Sequence, residues 1–584
     1  MLQNEPYEAR RILDLMRDHA PSDRRRVSNC PVCRSTRLHY SFSVSGHRVV
    51  RCDDCGLLMA SPQPSDDELA RIYGEDYFLV EKNGVGQRHV DELKQATADL
   101  YLDLLERYRG KPEGRLLEIG CGQGDFLVRA AARGLTVTGI EYSEHACEVA
   151  RRKLRDAPGS VVVRGEISSA IEEGQYDICA CSDVIEHVRD PRLFLERVHK
   201  LLRPNGIVFI ATPTLDSWSA RLLKNRWMEF KAEHLFYFKA STLQTLLIDC
   251  GFEQIIERPG VKTLSIDYVA GHFERYPVRA ISPAVSAARR VTPASLRRKA
   301  LRVVASGMVL MARKQQKRET HRLSVVVPVY NEAQTFTIAF DRLLSKEIDG
   351  VNIELIVVES NSTDGSREQV LKYRNHPRVK IVLEDAPRGK GHAVRAGLQH
   401  VTGDFVMIQD ADLEYDIEDY DALLEPLRRG RAAFVLGVRH GGSAWKMRRF
   451  NDQPLIAALL NLAHWFFTAS INVCFGARLR DPFTMYKVFR RDCLYGLTFE
   501  CNRFDFDWEI VIKFLRKGYK PLEIPVNYRS RSFTEGKKVS IVRDPLTWLR
   551  VLIKLRLSKL DPLAEIERQR EKQAALTLGG SDLG

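Results

Sequence analysis

The stretch VMIQDADLEYD (residues 406–416) places two carboxylates, Asp410 and Asp412, one residue apart directly after an apolar run. A short apolar run that ends in polar residues is typical of a buried strand in a parallel sheet. Carboxylates at positions i and i+2 repel each other unless a cation lies between them, and together they can present oxygens to one Mg2+ or Mn2+. Such an ion would also neutralise the phosphates of a diphosphate ligand. The stretch therefore predicts a metal-assisted diphosphate site at a strand end, with a plain surface turn as the alternative.

An alternation of strand-like and helical segments surrounds this stretch and occurs a second time in the chain. From residue 323 onward the strand-like runs include LSVVVPVY, IELIVVES, VKIVLED and AAFVLGVR. Between residues 90 and 260 they include RLLEIG, TVTGIE, YDICACSD and GIVFIATP. The alternation predicts doubly wound parallel sheets. Because the two halves share no local motif, we expect two different α/β domains and not a repeat.

Length, charge and terminal sequence narrow the class of protein. A chain of 584 residues is too long for one hydrophobic core. Its net charge of +13 favours phosphorylated ligands or an anionic surface, and no nucleic-acid-binding fingerprint accompanies it, so we expect no nucleic acid partner. We find no run of about eighteen apolar residues and expect no spanning helix. The N-terminal stretch MLQNEPYEARRILDLMRDHA is helix-like and lacks the apolar core of a signal peptide. Apart from four clustered ones, the twelve cysteines are scattered through apolar segments, which favours a reducing cytoplasm over disulfides.

Four of the twelve cysteines form a cluster near the N-terminus. CPVC supplies Cys30 and Cys33, and CDDC supplies Cys52 and Cys55, with eighteen residues between the two pairs. This spacing is typical of a zinc ribbon, in which each pair takes two adjacent corners of a tetrahedron. Redox chemistry or coincidence is the alternative. Four protein ligands leave no open position, so we expect a structural Zn2+.

A glycine-rich loop, LLEIGCGQGDF (residues 116–126), links a strand-like run to a helical one. Gly120, Gly122 and Gly124 allow a tight turn and the close approach of a ligand. The next strand-like run ends at Glu141, about twenty residues on, where a carboxylate can hold ribose hydroxyls. Many nucleotide-binding proteins share such a loop.

The strand-like run that follows, YDICACSDVIEHVRDP, ends in the polar residues Asp183, Glu186 and His187. Together with the glycine loop, LLRPNGIVFIATP, SPQPSDDELARIYGEDYF and EHLFYFKASTLQTLLIDCGF, it resembles class I S-adenosylmethionine-dependent methyltransferases, in particular those with an N-terminal zinc ribbon. The resemblance implies a Rossmann-like fold and S-adenosyl-L-methionine as cofactor. An activated or polymer-bound sugar is the first choice of methyl acceptor, and O-, N- or C-methylation of a small molecule is the alternative. The cofactor contacts that the resemblance implies are Glu118, Gly120, Gly122, Gly124, Glu141, Glu166 and Asp183.

Two histidines are candidates for the acceptor side of this site. His187 is titratable near neutral pH and could accept a proton from a substrate hydroxyl, with a helix-capping or packing role as the alternative. His234 in EHLFYF has the same two interpretations.

The C-terminal α/β half resembles the GT-A fold of glycosyltransferase family 2. The matching pieces within residues 320–545 are VVVPVYNE, ELIVVESNSTDGS, RGKGHAVRAGL, QDADLEYDIEDY, RLRDPFTMYKVFRRD, FDFDWEI and EIPVNYRSRSFTEGKKVS. Within that family it is most similar to polyprenyl-phosphate sugar synthases of the dolichol-phosphate mannose synthase type, which implies a UDP- or GDP-sugar donor. The metal ligands that the resemblance implies are Asp410, Asp412 and Glu414, and the donor contacts are Glu359, Lys390, Asp410 and Arg439. The chain departs from the family at ESNS (residues 359–362), where the usual motif is Asp-Asp-Gly-Ser.

The acceptor decides which further residues the site needs. A hydroxyl acceptor requires a general base, and the candidates are Asp481, Asp507 and Glu509. A polyprenyl phosphate is already anionic and requires positive charge instead. The loop YRSRSFTEGKK offers that charge at Arg529, Arg531, Lys537 and Lys538, which favours the polyprenyl phosphate over a saccharide hydroxyl.

We predict five segments along the chain. They are an N-terminal helix and zinc ribbon (1–80), a methyltransferase domain (81–260), a basic linker (261–322), a glycosyltransferase domain (323–545) and a basic amphipathic helix with a tail (546–584). ASLRRKALRVVASGMVLMARKQQKR (residues 294–318) and DPLTWLRVLIKLRLSKL (residues 544–560) mix apolar and basic residues at helical spacing, as helices at a membrane surface do. An ordinary core-packing helix is the alternative for both. Peripheral contact with an anionic membrane, on its inner face, is therefore a hypothesis.

The best interpretation is a bifunctional enzyme of surface glycan or glycolipid synthesis that joins the two activities. Tethering raises the effective concentration of each active site when both act on one glycan or carrier. A non-enzymatic alternative has one of the two domains as a catalytically idle binding module.

Overall fold

The computed structural model describes residues 25–44, 46–72, 86–111, 113–167, 173–275, 281–316, 320–439, 454–530 and 543–579. The chain divides into two compact units, Met1–Gln316 and Lys317–Gly584. Both units are mixed α/β structures, as the sequence predicts. The predicted N-terminal helix lies outside the described residues.

The N-terminal unit contains eleven strands and ten helices within its described part. The strands are β1 (Leu38–Val44), β2 (His47–Cys52), β3 (Leu58–Ala60), β4 (Arg115–Ile119), β5 (Thr136–Glu141), β6 (Val161–Arg164), β7 (Tyr176–Ser182), β8 (Leu202–Pro213), β9 (Phe236–Tyr237), β10 (Phe252–Leu264) and β11 (Leu301–Lys314). The helices are α1 (Asp66–Ile72), α2 (Gln87–Arg109), α3 (Asp125–Ala132), α4 (Glu144–Lys153), α5 (Pro191–Leu201), α6 (Trp218–Leu223), α7 (Ala240–Asp249), α8 (Ile266–Arg275), α9 (Ile281–Val291) and α10 (Ala294–Arg297).

The main sheet of this unit has the strand order β10-β11-β8-β7-β4-β5-β6. The strands from β6 to β8 are parallel, whereas β11 pairs antiparallel with both β8 and β10. β4 is buried over Leu116–Ile119 because helices cover both faces of a parallel sheet. Well-formed caps start the crossover helices: the Ser143 side chain accepts the Ala146 amide before α4, and Pro191 occupies the first turn of α5.

A second, smaller sheet has the order β1-β2-β3-β9 and carries the cysteine cluster. Its last strand, Phe236–Tyr237, comes from the chain between α6 and α7. The segment that follows β8 of the main sheet therefore supplies the last strand of the small sheet.

The predicted interfacial helix over residues 294–318 is wrong. Only Ala294–Arg297 is helical, and Leu301–Lys314 forms β11, which is buried between β10 and β8 from Met308 to Ala312. The predicted linker therefore contains a central strand of the first sheet, and the first unit extends to Gln316. The strand is buried because its apolar run Met308–Met311 lies between two partners.

The C-terminal unit contains seven strands, seen in the described part of the chain. They are β12 (His321–Val329), β13 (Val351–Glu359), β14 (Val379–Leu383), β15 (Phe405–Ile408), β16 (Phe434–Val438), β17 (Lys487–Arg490) and β18 (Leu522–Pro525). The helices are α11 (Phe336–Ser345), α12 (Ser366–Leu371), α13 (Lys390–Leu398), α14 (Tyr420–Arg428), α15 (Pro454–Phe475), α16 (Phe506–Arg516), α17 (Arg543–Leu557) and α18 (Pro562–Gly579).

The sheet of this unit has the order β14-β13-β12-β15-β17-β16-β18. β12 to β15 are parallel, and β17 pairs antiparallel with both β15 and β16. Parallel strands place their carboxyl ends at one edge, so the ends of β12, β13 and β15 converge where the Asp-x-Asp stretch begins.

Two helices of this unit leave apolar side chains exposed. One of them meets the length and apolarity needed to cross a membrane: the segment Ala457–Phe475 has a mean hydropathy of 1.3, and 28% of it is buried. The segment contains Asn461, His464 and Asn472, so it is not a continuous apolar run, and the sequence-based expectation of no spanning helix stays a prediction. In α17, Leu546, Leu549 and Ile553 are exposed, while Trp548 and Leu552 pack inward.

Candidate active sites

The glycine-rich loop after β4 lies where the sequence predicts the cofactor site. Gly120 has a φ of +72°, and a Cβ built there would lie 2.5 Å from Cγ2 of Val184, so glycine is required at this turn. Glu141, at the end of β5, accepts hydrogen bonds from the amides of Gly122 and Ser143, each at 2.9 Å. These bonds hold the carboxylate at the carboxyl edge of the sheet, beside the loop.

Glu118 and Gly124 lie at the two ends of the loop. The Glu118 side chain is 5% exposed, and its Oε2 has no hydrogen-bond partner among the described residues. Burial raises the pKa of Glu118 well above its usual value. An unpaired buried oxygen fits a ligand with hydrogen-bond donors, such as the ammonium and ribose hydroxyls of S-adenosylmethionine. Gly124 has a φ of +79° and directly precedes α3.

Asp183 and Glu166 lie along the same edge of the sheet. Asp183 follows β7 with a φ of +53° and accepts a hydrogen bond from Nζ of Lys262 at 3.0 Å. Glu166 is exposed, and the amide of its neighbour Gly165 donates to the Glu141 carbonyl at 2.9 Å. Sequence reasoning missed Lys262, which lies in β10 on the segment assigned to the linker.

His187 and His234 form a pair of rings whose centroids are 4.7 Å apart. Nδ1 of His187 is 3.0 Å from the Glu233 carbonyl, and Nδ1 of His234 is 2.8 Å from the Glu229 carbonyl. Because a carbonyl oxygen only accepts, both Nδ1 atoms carry the proton and both Nε2 atoms are basic. Burial lowers the pKa of His187 to about 4, so this ring is neutral at pH 7.

Glu186 lies next to this pair of histidines. Its Oε2 accepts a hydrogen bond from the Thr212 hydroxyl at 2.9 Å, and its Oε1 lies 4.0 Å from Nε2 of His187. Burial, followed by the charge of Asp183, raises the pKa of Glu186 to about 8. The ligand atoms of Glu186, His187 and His234 all lie within 4.8 Å of one another. The group can therefore exchange a proton with an acceptor, and its donor set would also suit a divalent cation.

The four clustered cysteines come together as the spacing predicts. Sγ of Cys30 lies 3.5 Å from that of Cys55, and Sγ of Cys33 lies 3.4 Å from that of Cys52. All four sulfurs lie within 4.8 Å of one another. Sulfurs around one Zn2+ at about 2.3 Å are separated by similar distances, so the arrangement fits the ion.

The C-terminal unit has a cavity of 820 Å³ at the carboxyl edge of its sheet. Its polar lining includes Asp410, Asp412, Glu414, Lys390, Arg439 and Asp507. Its apolar lining includes Leu459, Phe483, Pro545 and Trp548 from α15, α17 and the chain between them. The cavity therefore has a charged part and an apolar part.

The acidic side of this cavity matches the Asp-x-Asp prediction. Asp410 is bonded to Lys390, whose Nζ donates to Oδ2 at 2.8 Å. Asp412 is buried and accepts the Glu414 amide at 3.1 Å. Glu414 accepts the Tyr528 hydroxyl at 3.0 Å. Three carboxylates beside one lysine suit a divalent cation with an attached diphosphate.

The comparisons with known proteins follow this division of the chain. Residues 88–257 match the family described as methyltransferase domain, and residues 324–494 match glycosyl transferase family 2. The chain joins a methyltransferase domain to a family 2 glycosyltransferase domain.

Relatives of each domain are known separately. The glycosyltransferase domain is 25% identical over 218 residues to a dolichol-phosphate mannosyltransferase of Pyrococcus furiosus, covering 37% of this chain and 59% of that protein. The methyltransferase domain is 39% identical over 116 residues to a ubiquinone biosynthesis O-methyltransferase of Aromatoleum aromaticum, covering 19% of this chain and 50% of that protein. A solved S-adenosylmethionine-dependent methyltransferase of Thermotoga maritima is 21% identical, with a TM-score of 0.26, and covers 39% of this chain and 97% of its own. The chain thus spans little more than half the length of the first two relatives.

In the glycosyltransferase domain, Asp481 does not fit its predicted role as a base. Its two oxygens accept hydrogen bonds from Nε and Nη2 of Arg439, each at 2.8 Å, and one of them also accepts the Arg439 amide at 3.2 Å. The Asp481 side chain is 0% exposed. Burial alone would raise the pKa of Asp481, but the charge and hydrogen bonds of Arg439 outweigh it and hold the pKa well below its usual value. Asp481 therefore positions Arg439, and Arg439 lines the cavity.

Glu509 is also engaged elsewhere, whereas Asp507 reaches the cavity. The Glu509 carboxylate accepts the amides of Glu500 and Cys501 and an Nζ hydrogen of Lys513. It does not line the cavity, so its predicted catalytic role is not supported. Asp507 lines the cavity and lies 3.0 Å from Nζ of the buried Lys487.

The ESNS stretch has a left-handed backbone at its third residue. Asn361 occupies the position of the motif's glycine with a φ of +56°, which asparagine tolerates better than most residues. Glu359 is fully buried and accepts the Ser362 amide at 2.7 Å. Ser360 replaces the motif's second aspartate and donates to Glu384 at 2.6 Å. Glu384, which the motif comparison did not single out, supplies a carboxylate beside this replaced position.

The predicted acceptor-phosphate loop lies largely outside the described residues. Arg531, Lys537 and Lys538 belong to that part. Arg529 is exposed, and its amide donates to the Glu414 carbonyl at 2.8 Å, so the loop starts beside the acidic cluster.

Proposed function

We propose that the glycosyltransferase domain transfers a sugar from a UDP- or GDP-sugar to a polyprenyl phosphate. We propose further that the methyltransferase domain methylates the same glycan or its carrier. The observation that carries the proposal is the cavity in which Asp410, Asp412 and Glu414 face the cations Lys390 and Arg439.

The two sides of this cavity have separate tasks in the proposal. Asp410, Asp412 and Glu414 would hold Mg2+ or Mn2+, which neutralises the diphosphate of the donor as it leaves. Lys390 and Arg439 stabilise the same negative charge directly, and Asp481 keeps the Arg439 guanidinium oriented toward the cavity. Ser360 lines the cavity and would contact the base, whereas Glu359 is fully buried and does not line it.

The state of the candidate bases favours a phosphate acceptor. Asp481 and Glu509 are occupied by buried hydrogen bonds, and Asp507 is paired with Lys487. A phosphate oxygen is already anionic at neutral pH and attacks without a general base. The apolar lining from Leu459, Phe483 and Trp548 suits a prenyl chain at the cavity mouth.

A saccharide hydroxyl is the alternative acceptor. It is favoured by Asp507, the one predicted base that lines the cavity in the described residues. In that case Asp507 would accept the hydroxyl proton.

In the methyltransferase domain, the residues around the glycine loop fit S-adenosyl-L-methionine. Glu118 and Glu141 would accept hydrogen bonds from the cofactor, and the backbone of the loop would approach the cofactor closely. The cofactor supplies a methyl group on a sulfonium, so transfer depends mainly on in-line alignment. His187 would accept the acceptor's proton at Nε2, while the Glu233 carbonyl holds its Nδ1 hydrogen.

Thermal stabilisation by donor nucleotides tests the glycosyltransferase proposal. Purified protein is heated with UDP- and GDP-sugars, with and without Mn2+, beside the double variant Asp410→Asn, Asp412→Asn. We expect a metal-dependent rise in melting temperature with one nucleotide class and its loss in the double variant, because bound ligand stabilises in proportion to the logarithm of its concentration over Kd. No shift with any donor would contradict the proposal, whereas a shift without turnover would identify the domain as a catalytically idle binding module.

Product analysis then separates the acceptors. The protein is incubated with a labelled donor and either a short polyprenyl phosphate or a saccharide. Label in the organic-solvent extract supports the lipid acceptor, and label in the aqueous saccharide alone rejects it. Asp507→Asn distinguishes the two further, because only the hydroxyl reaction needs that carboxylate.

A further inference from the structure

The methyltransferase domain carries a group of exposed apolar side chains on α6, α10 and the first half of β11. Their exposed fractions range from 41% to 69%. We name them the β11 edge patch, and its apolar members are Trp218, Leu222, Leu296, Leu301, Val303 and Val304. Six large apolar side chains exposed together in one region are unusual for a surface without a partner.

The patch lies where α6 packs on β11. The Ser219 and Ser306 hydroxyls are 3.0 Å apart, and the Thr214 amide donates to the Ser306 carbonyl at 2.9 Å. β11 extends beyond β8: its pairing with β8 begins at Gly307, and Leu301 to Val304 pair with β10 alone in the described sheet. The end of β11 therefore projects beside α6 and, because successive strand side chains alternate, it exposes Leu301 and Val303 on one face and Val304 on the other.

The charges on this surface are positive. Its exposed basic residues are Arg221, Lys224, Arg226, Arg298, Lys299 and Arg302, and none forms an ion pair with a described residue. Residues 281–304 contain no acid. Asp216 is the acid next to α6, and it accepts the Ala240 amide at 2.9 Å.

We propose that the β11 edge patch binds the surface of an anionic lipid bilayer. Aliphatic side chains and a tryptophan enter the headgroup region, while arginine and lysine stay at the phosphate level. Single-stranded nucleic acid would need aromatic stacking surfaces, and the patch offers one aromatic ring among five aliphatic side chains. A second copy of this chain would place cations against cations.

The position of the patch connects it with methyl transfer. Val303 pairs with Lys262 in β10, and Nζ of Lys262 is bonded to Asp183 at the carboxyl edge of the sheet. The patch therefore borders the edge where the cofactor loop and His187 lie. This inference rests on the proposed methyltransferase function and names its substrate class: the methyl acceptor is attached to a membrane lipid.

Vesicle sedimentation with charge-reversed variants tests the proposal. The full chain is mixed at low salt with vesicles of phosphatidylcholine, with and without phosphatidylglycerol. The patch variant is Arg298→Glu, Lys299→Glu, Arg302→Glu. The matched control is Arg152→Glu, Arg374→Glu, Lys380→Glu, which changes the net charge equally at exposed positions elsewhere.

We expect the partition of the patch variant into anionic vesicles to fall about a hundredfold, since each basic residue near an anionic surface contributes roughly a factor of five. The control variant should retain most of the wild-type partition. Brominated lipid should quench the fluorescence of wild type more than that of Trp218→Ser. Equal partition of the two charge variants would overturn the proposal. The proposal would also fail if wild type without vesicles sedimented as a dimer and the patch variant sedimented as a monomer.

Binding of the cofactor is measured on the same samples. A rise in melting temperature with S-adenosylmethionine that is equal in wild type and both variants shows an intact methyltransferase site. If the patch variant loses vesicle binding but keeps that shift, the loss is caused by the patch and not by damage to the methyltransferase site. Absence of the shift in wild type would instead contradict the proposed methyltransferase function.

Discussion

Replacing Asp481 with asparagine separates a positioning role from a catalytic one. In the native protein both oxygens of this fully buried carboxylate bind the Arg439 guanidinium, and His464 lies 3.9 Å away. Asp481→Asn keeps the shape but removes the negative charge and one acceptor. The guanidinium of Arg439, itself 7% exposed, is then left without its counter-ion.

The size of the effect follows from that burial. Removing one partner of a buried ion pair costs roughly 3–5 kcal/mol, because the remaining charge stays desolvated. For a unit of this size each kcal/mol lowers the melting temperature by about 2–4 °C, so we expect a fall of roughly 6–20 °C. The double variant Asp481→Leu, Arg439→Met should recover most of this loss, because it removes both charges together.

Calorimetry of the full chain measures this effect, with Asp349→Asn as the control at an exposed site. The pH dependence gives a second readout. The pKa of Asp481 is lowered in the folded state, so its stabilisation is present above the unfolded value of about 4 and is lost as the pH falls through the folded value. The difference in melting temperature between wild type and Asp481→Asn should therefore be constant from pH 8 to pH 5 and narrow below pH 4. An unchanged melting temperature with abolished glycosyl transfer would refute the reasoning and restore Asp481 as a base.

Three other expectations concern the remaining candidate residues. Glu141→Gln should weaken the affinity for S-adenosylmethionine about tenfold or more, measured by calorimetric titration, because a neutral amide accepts hydrogen bonds less strongly than a carboxylate. Glu509→Gln should lower the melting temperature with the KM for the donor and the turnover of the folded enzyme unchanged, and turnover with a polyprenyl phosphate should also survive Asp507→Asn. Loss of turnover in Glu509→Gln at a wild-type melting temperature would mean that Glu509 reaches the substrate. Cys33→Ser should remove the one zinc ion per chain that elemental analysis of wild type is expected to find, and retention of that ion would exclude the four-cysteine site.

The sequence predicted both α/β folds because their local signals agree with the final structure. The loop at Gly120 needs a positive φ and close packing, and the Asp410 stretch ends a buried strand, so both motifs report local backbone requirements. β11 could not be predicted in this way. Its apolar centre with basic ends is also the pattern of an amphipathic helix, and its strand conformation depends on pairing with β8, which lies about a hundred residues earlier.

The roles of the acidic residues show the same limit. From the sequence alone the three candidate bases cannot be told apart, because each is a carboxylate near a motif of the family. They are Asp481, Asp507 and Glu509. Only the fold shows that Arg439 and Lys513 occupy two of them, leaving Asp507 at the cavity. A carboxylate's partners come from distant parts of the chain, so its role depends on tertiary contacts.

The shared strand between the small sheet and the main unit affects how inhibition assays must be interpreted. The Leu235 carbonyl accepts the Ala60 amide, and the Leu235 amide donates to the carbonyl of Glu186, so one short segment links the cysteine sheet to the histidine pair. A chelator that strips the cysteines would loosen this segment and displace His234, which precedes it. Methyl transfer would then stop in the presence of EDTA through loss of the cysteine-bound ion alone. Chelator sensitivity in this protein therefore does not distinguish loss of a structural ion at the cysteines from loss of an ion at Glu186, His187 and His234.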